Sequence, residues 1–244
     1  SLWQSGSSDM LIQGHYVGNR FNDGTQYEYT HILILLSNGT TDILMGAGQN
    51  SYGTLGDASL TNRSSPVKAL IPSNLRFFKV AHSNNGAGSM HALMMDGTLW
   101  GWGYNAYGIV GNGTTSNTSS PTLIMSGAVD MFTFSSHFEN FGSPSPIIRK
   151  SDGFYCWGYN NYGQVGDGTT TQRNSPVKMR FPQGITIKYV GVFYTSNNNR
   201  VTRVAVTSDN KYLCWGANDY NGITVDTTNS FLTPTQFNPR VLIR

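Results

Sequence analysis

The sequence predicts an all-β fold built from about four similar units, and three observations predict it. The segment "WGYNAYGIVGNGTTSNTSSPT" at 102–122 returns as "WGYNNYGQVGDGTTTQRNSPV" at 157–177. Before each copy, two short apolar runs flank a turn dipeptide, the pattern of a β-hairpin. The composition points the same way. Charged residues are 12% of the chain, about half the usual share, and Glu28 and Glu139 are the only glutamates. Gly, Asn, Ser, Thr and Tyr are plentiful, which favours strands and turns over helices.

The units follow from aligning the repeated glycine, which falls at Gly48, Gly103, Gly158 and Gly216, at intervals of 55, 55 and 58 residues. The shared core reads Trp-Gly-x-Asn-x-Tyr-Gly, then Gly, then a Thr/Ser/Asn loop, then Pro. Upstream stand the hairpin turns Asn38-Gly39, Asp96-Gly97, Asp152-Gly153 and Asp209-Asn210. Two more strand candidates per unit are visible, "PVKALIP" and "RFFKVAH" in the second, "PVKMRF" and "ITIKYVGVFY" in the fourth. Four strands in fifty-odd residues match a propeller blade. The expected architecture is therefore one β-propeller domain over 1–244, with units at roughly 13–65, 66–120, 121–175 and 176–233. Partial blade strands are expected at 1–8 and 234–244, and ring closure is left open. Pro66, Pro121, Pro176 and Pro234 are expected to open each next unit, where a strand-starting Pro loses no ladder bond.

Each recurring residue type has a structural reason. Trp102, Trp157 and Trp215 offer large flat surfaces to bury between blades. Asn50, Asn105, Asn160 and Asn218 are expected to bond backbone groups and hold the loops in shape. Cys156 and Cys214 occupy equivalent positions in successive units, so they are expected to be buried free thiols rather than a disulfide. The segment "SLWQSGSSDM" lacks an initiator Met and a hydrophobic signal core, so the expectation is a chain that is cut, trimmed or only part of a longer one.

The best copy, "DGFYCWGYNNYGQVGDGTTTQRNSPV" at 152–177, and the copy "HALMMDGTLWGWGYNAYGIVGNGTT" at 91–115 resemble the repeat of the regulator-of-chromosome-condensation family. The resemblance covers roughly residues 31 to 235. It implies a β-propeller, usually of seven blades, whose common task is recognition of protein surfaces rather than catalysis. Two departures stand out: Ala47 replaces the Trp of the first unit, and Tyr220-Asn221-Gly222-Ile223 displaces the glycine pattern of the fourth.

The chain carries no Gly-x-Ser-x-Gly elbow, phosphate loop, His-Glu-x-x-His or Cys-x-x-Cys. No enzyme activity, cofactor or metal site is therefore expected. His31 and His91 are read as structural residues at corresponding sites before their hairpins, and "NDGTQYE" at 22–28 as a solvated turn rather than a calcium loop. Tyr52, Tyr107, Tyr162 and Tyr220 recur once per unit, as loop packing or as an exposed ring for sugar or protein contact. The irregular loops at 13–30, 83–89, 135–145 and 195–200 escape the repeat and are better binding candidates. The residues singled out there are Tyr16, Asn22, Tyr27, His137, Phe138 and Asn197.

The formal charge of +3 is spread thinly. Nucleic acid is therefore not an expected partner, and no apolar run reaches membrane-spanning length. The first functional expectation is a structural or adhesion module at a virion surface or outside the cell. A phage tail fibre, tail-tip or decoration protein fits, with virion proteins or a host glycan or receptor as partners. The second expectation is a cellular or secreted propeller binding module, lectin-like, inhibitory or of the GTPase-exchange type.

Overall fold

The computed structural model describes residues 10–18, 31–83, 88–132, 145–194, 201–218 and 230–237. These form four antiparallel sheets, each an up-and-down meander of four strands. The first holds β1 (Leu11–Gly18), β2 (His31–Ser37), β3 (Asp42–Gly48) and β4 (Arg63–Lys68). The second holds β5 (Phe77–Ser83), β6 (Ser89–Met94), β7 (Leu99–Gly103) and β8 (Thr118–Met125). The third holds β9 (Ala128–Phe132), β10 (Ile147–Lys150), β11 (Gly153–Gly158) and β12 (Arg173–Lys178). The fourth holds β13 (Ile187–Tyr194), β14 (Val201–Thr207), β15 (Tyr212–Gly216) and β16 (Phe231–Phe237). No helix is present among the described residues.

The expected hairpins join the second and third strands of every sheet. In each turn only the second residue of the dipeptide takes a positive φ: Gly39, Gly97, Gly153 and Asn210. The first residue acts through its side chain instead. Asn38 Oδ1 accepts the N–H groups of Thr40 and Thr41, and Asp96 Oδ1 that of Thr98.

The Pro-bearing strands correct the expected phase of the units. Pro66, Pro121, Pro176 and Pro234 lie in β4, β8, β12 and β16, each the last strand of its own sheet rather than the first of the next. The strand at 234–237 likewise completes the fourth sheet instead of opening a new one. Its continuation at 238–244 and the expected partial strand at 1–8 lie outside the described residues. Every fourth strand breaks register where its Pro sits. Gly46 pairs with Val67 but Gly48 with Arg63, and Cys156 pairs with Val177 but Gly158 with Arg173. An edge strand with an irregular step has no ladder bond for Pro to lose.

A second irregularity recurs in each first strand. Gln13, Phe78, Val129 and Lys188 are each skipped in the pairing with the second strand, as one-residue bulges. Residues 13–18 were expected in an irregular loop. With Leu11 and Ile12 they form β1, whose alternation is masked in sequence by this bulge and by Gly14.

The core lies between the sheets. Leu33 and Leu44 of the first sheet meet Met90, Met94 and Trp102 of the second. Leu93 and Leu99 of the second meet Met131, Ile148 and Trp157 of the third. Ile147 and Val165 of the third meet Val190, Leu213 and Trp215 of the fourth. Each interface therefore receives one fully buried indole from the later sheet, and the partly buried Trp100 adds a second at the first interface. Cys156 and Cys214 are buried free thiols.

Candidate protein-interaction surface

In the first three sheets the loops joining third to fourth strands form one rim, and their geometry starts from a buried asparagine. Asn50 Oδ1 accepts the N–H of Leu55 at 2.9 Å, while its Nδ2 donates to Asp57 Oδ1 at 2.9 Å and to the Ser59 carbonyl at 3.0 Å. Asn105 repeats this with Val110, Asn112 and Thr114, and Asn160 with Val165, Asp167 and Thr169. The amide can serve as a hub because it carries an acceptor and two donors on one planar group.

Each loop is then clamped by the next sheet. Trp102 Nε1 donates to the Thr54 carbonyl at 2.9 Å, Trp157 Nε1 to Ile109 at 2.6 Å, and Trp215 Nε1 to Gln164 at 3.0 Å. The indole faces lie against glycine. A Cβ added at Gly111 would stand 2.6 Å from Trp157 Nε1, and the residue holds φ +89°, so both space and backbone demand glycine there.

The tyrosines ride on this frame. Tyr52 meets Tyr104 of the next sheet edge to face at 5.2 Å. Tyr107 meets Tyr159 in the same way at 5.2 Å, and Tyr162 stands 6.5 Å from Tyr159. All five are half-buried. Of the two sequence readings, packing holds all five rings, and each keeps partial exposure. Tyr220 lies outside the described residues, and Ala217 takes the place of Tyr104 and Tyr159 in the fourth sheet.

Charge on this rim is paired internally. Arg63 contacts Asp57 at 2.7 Å, and Arg173 contacts Asp167 at 2.7 Å. Burial alone would raise both carboxyls. Hydrogen bonds from Ser59, Arg63 and Asn50 outweigh it at Asp57, and those from Thr169 and Arg173 outweigh it at Asp167, so both stay below the usual carboxylate range.

The histidines sit inside the wall. His91 Nε2 lies 3.0 Å from the Ile109 carbonyl, and burial lowers its pKa to about 4. His31 does not correspond to it. His31 pairs with Gly48 in its hairpin, whereas Ser89 pairs with the equivalent Gly103, so His91 is two residues further along. His31 Nε2 instead meets His82 Nε2 of the second sheet at 2.8 Å. Burial lowers His31 to about 4. His82 falls to about 3, by burial and by the neighbouring His31. Sequence reasoning did not single out His82, whose partner is 51 residues away. It also missed Arg203, fully buried, which donates to Cys156 Sγ at 3.2 Å and to the Ser145 carbonyl at 2.7 Å.

Of the expected binding residues, Tyr16 lies in β1 opposite Leu33, and its side chain lies outside the described residues. Asn22, Tyr27, His137, Phe138 and Asn197 also lie outside them, as does the 22–28 turn. Among the described residues, no group of three or more His, Cys, Asp or Glu is placed to hold a metal ion.

Radial sheets clamped loop to indole define a propeller-type repeat protein. Residues 96–133 and 152–193 match the Regulator of chromosome condensation (RCC1) repeat. The chain is 28% identical over 176 residues to the ultraviolet-B receptor UVR8 of Arabidopsis thaliana, covering 71% of this chain and 37% of the receptor. It is 28% identical over 193 residues to the human E3 ubiquitin-protein ligase HERC2, covering 77% of this chain and 4% of the ligase. Among solved structures, human WBSCR16 aligns with a TM-score of 0.63 and 21% identity, over 86% of this chain and 50% of that one. Prp20p of Saccharomyces cerevisiae aligns with 0.60 and 20%, over 93% and 50%. In its two matched repeats the chain thus resembles RCC1-like propeller proteins, and it spans half or less of each of these relatives.

Proposed function

We propose that the chain is a non-catalytic binding module that recognises other proteins through its tyrosine-bearing loop rim. One observation carries this reading. Five half-buried tyrosines, each pinned by a ring contact across or beside a blade junction, form a rigid aromatic row on a rim whose charges are already paired. Rigid aromatic groups with a polar tip contribute contact area at low entropic cost, as recognition surfaces require.

The relatives support the cellular reading over the tail-fibre reading. Those named are plant, human and yeast proteins, and Prp20p has been described for its binding to Gsp1p and histones. The ligase activity of HERC2 is not transferred, since the match covers 4% of that protein.

The test is partner capture from an extract of the source cell, with the wild-type chain beside a Tyr107→Ser/Tyr159→Ser variant that near-ultraviolet circular dichroism shows to be folded. The expected result is a protein partner depleted at least about tenfold by the variant, the scale of losing interface anchors. Equal recovery by both chains, or no protein recovered by either, overturns the reading.

A further inference from the structure

A cleft of about 570 Å³ opens between the first and second sheets, away from the tyrosine row and at the hairpin end of the blades. We propose that it docks a linear segment of a partner protein that pairs an acidic residue with an adjacent large apolar one. The proposal rests on the interaction-module reading and names a second contact point within it.

The apolar half of the site follows from the bulge in β5. Phe77 and Phe78 are consecutive, but the skipped pairing at Phe78 separates their fates: Phe77 is 5% exposed and Phe78 50%. A bulge re-aims the side chain it inserts. Leu11 and Met95, both exposed, line the same cleft from β1 and from the hairpin turn of the second sheet. Three large apolar side chains left in water around one concavity are what a recognition site presents, whereas scattered single ones would need no explanation.

The polar half fixes the charge of the occupant. Asp42 is buried; its Oδ2 accepts the Phe77 N–H at 2.9 Å, and its Oδ1, which has no hydrogen-bond partner, lies 3.5 Å from Arg76 Nη2. The Arg76 side chain is about a third exposed at the cleft, while its Nε is buried without a hydrogen-bond partner. Lys79 is held by Asp130, which also faces Arg149 at 3.8 Å. Three cations therefore meet two carboxylates, and the uncompensated positive charge falls where Lys79, which lines the cleft, shares Asp130 with Arg149. A carboxylate is the planar acceptor that a guanidinium engages best. A basic segment would meet repulsion here. A nucleic acid would find one spare cation, where phosphate recognition uses many.

The experiment is fluorescence anisotropy of the whole chain with a labelled hexapeptide of alternating leucine and glutamate, against its leucine–lysine counterpart. The variants are Arg76→Gln, Phe78→Ser and Met95→Ser. Val129→Ser is the control, since Val129 is the exposed bulge residue of the third sheet and does not line the cleft. The expected result is saturable binding of the glutamate peptide at least about tenfold tighter than the lysine peptide, lost about tenfold in Phe78→Ser or Arg76→Gln and kept in Val129→Ser. Phe78 and Met95 are surface residues, so those two variants decide the matter even if Arg76→Gln unfolds around Asp42. Equal affinity for both peptides, no saturable binding, or unchanged binding by folded Phe78→Ser overturns the proposal. If partner capture by the tyrosine row persists in that case, the cleft alone is rejected. If capture fails too, the module reading falls with it.

Discussion

The loop of the second blade and the loops of the first and third reach one shape through different chemistry. In the first and third, Asp57 and Asp167 each take an arginine, Arg63 and Arg173, with Nε to oxygen at 2.7 Å. In the second the same places hold Asn112 and Thr118, joined by a neutral hydrogen bond of 3.3 Å. What all three share is a single side-chain oxygen. Asp57, Asn112 and Asp167 Oδ1 each accept the hub asparagine, the N–H two residues on and the hydroxyl of that same residue. The comparison teaches that the shape depends on this acceptor and on the clamping indole, and that the ion pair is an addition.

The comparison breaks most visibly if the indoles are removed. Trp102 clamps a charged loop and Trp157 the neutral one, yet both are fully buried and both donate to the loop carbonyl. If shape is independent of the ion pair, Trp102→Ala and Trp157→Ala should cost the same, about 3–5 kcal/mol each. Chemical denaturation measures this. A loss at Trp157 much larger than at Trp102 would mean that the Asp57–Arg63 pair holds its loop without the clamp.

The parts of this architecture that were legible in sequence are short-range. Trp-Gly, the hub asparagine and the turn dipeptides act within about a dozen residues, so their spacing carries their meaning. The phase of the sheets was not legible. Pro66 stands beyond a long loop from β3, and nothing local says that the strand returns to its own sheet rather than opening the next. The bulges were hidden for a related reason. Phe77-Phe78 reads as continuous strand until its partner strand is known. The cleft draws Leu11, Asp42, Phe78 and Met95 from separate strands and turns of two sheets, and the His31–His82 contact spans two sheets. The expected loop residues, from Tyr16 to Asn197, rested on escape from the repeat, which marks freedom from architecture but brings no two side chains together.

Acid sharpens the comparison with a smaller effect. The folded carboxyls of Asp57 and Asp167 lie below their ordinary value of 3.8, so the stability they add is present above 3.8 and is lost as pH falls through the lower folded values. The neutral loop has no such group. Titrating the folded chain by NMR should move the amide signals of Ser59 and Thr169, which donate to the two aspartates, below pH 3.8, and leave that of Thr114, which donates to Asn112, in place. A matching shift at Thr114 would show that the loops respond to a global change instead. The histidines act in a separate and higher window. His31 and His91, ordinarily at 6.5, are lowered to about 4, so the unfolded chain takes up protons first and overall stability declines as pH drops from 6.5 toward 4.

The smallest expected effect comes from transplanting the ion pair. Asn112→Asp with Thr118→Arg rebuilds in the second loop what the first and third already hold. Asn112→Asp alone keeps the Oδ1 acceptor but places an unpaired charge beside the hub, and Thr118→Arg alone adds a cation with no carboxylate to meet. The corresponding arginines are about a third exposed, which places the pair among partly solvated ion pairs. The coupling between the two changes in a double-mutant cycle should therefore be about 0.5–1 kcal/mol, reduced by added salt. The double variant should also gain the acid-sensitive Thr114 signal that the wild type lacks. A coupling of several kcal/mol would mean instead that charge sets the loop and the shared oxygen follows it.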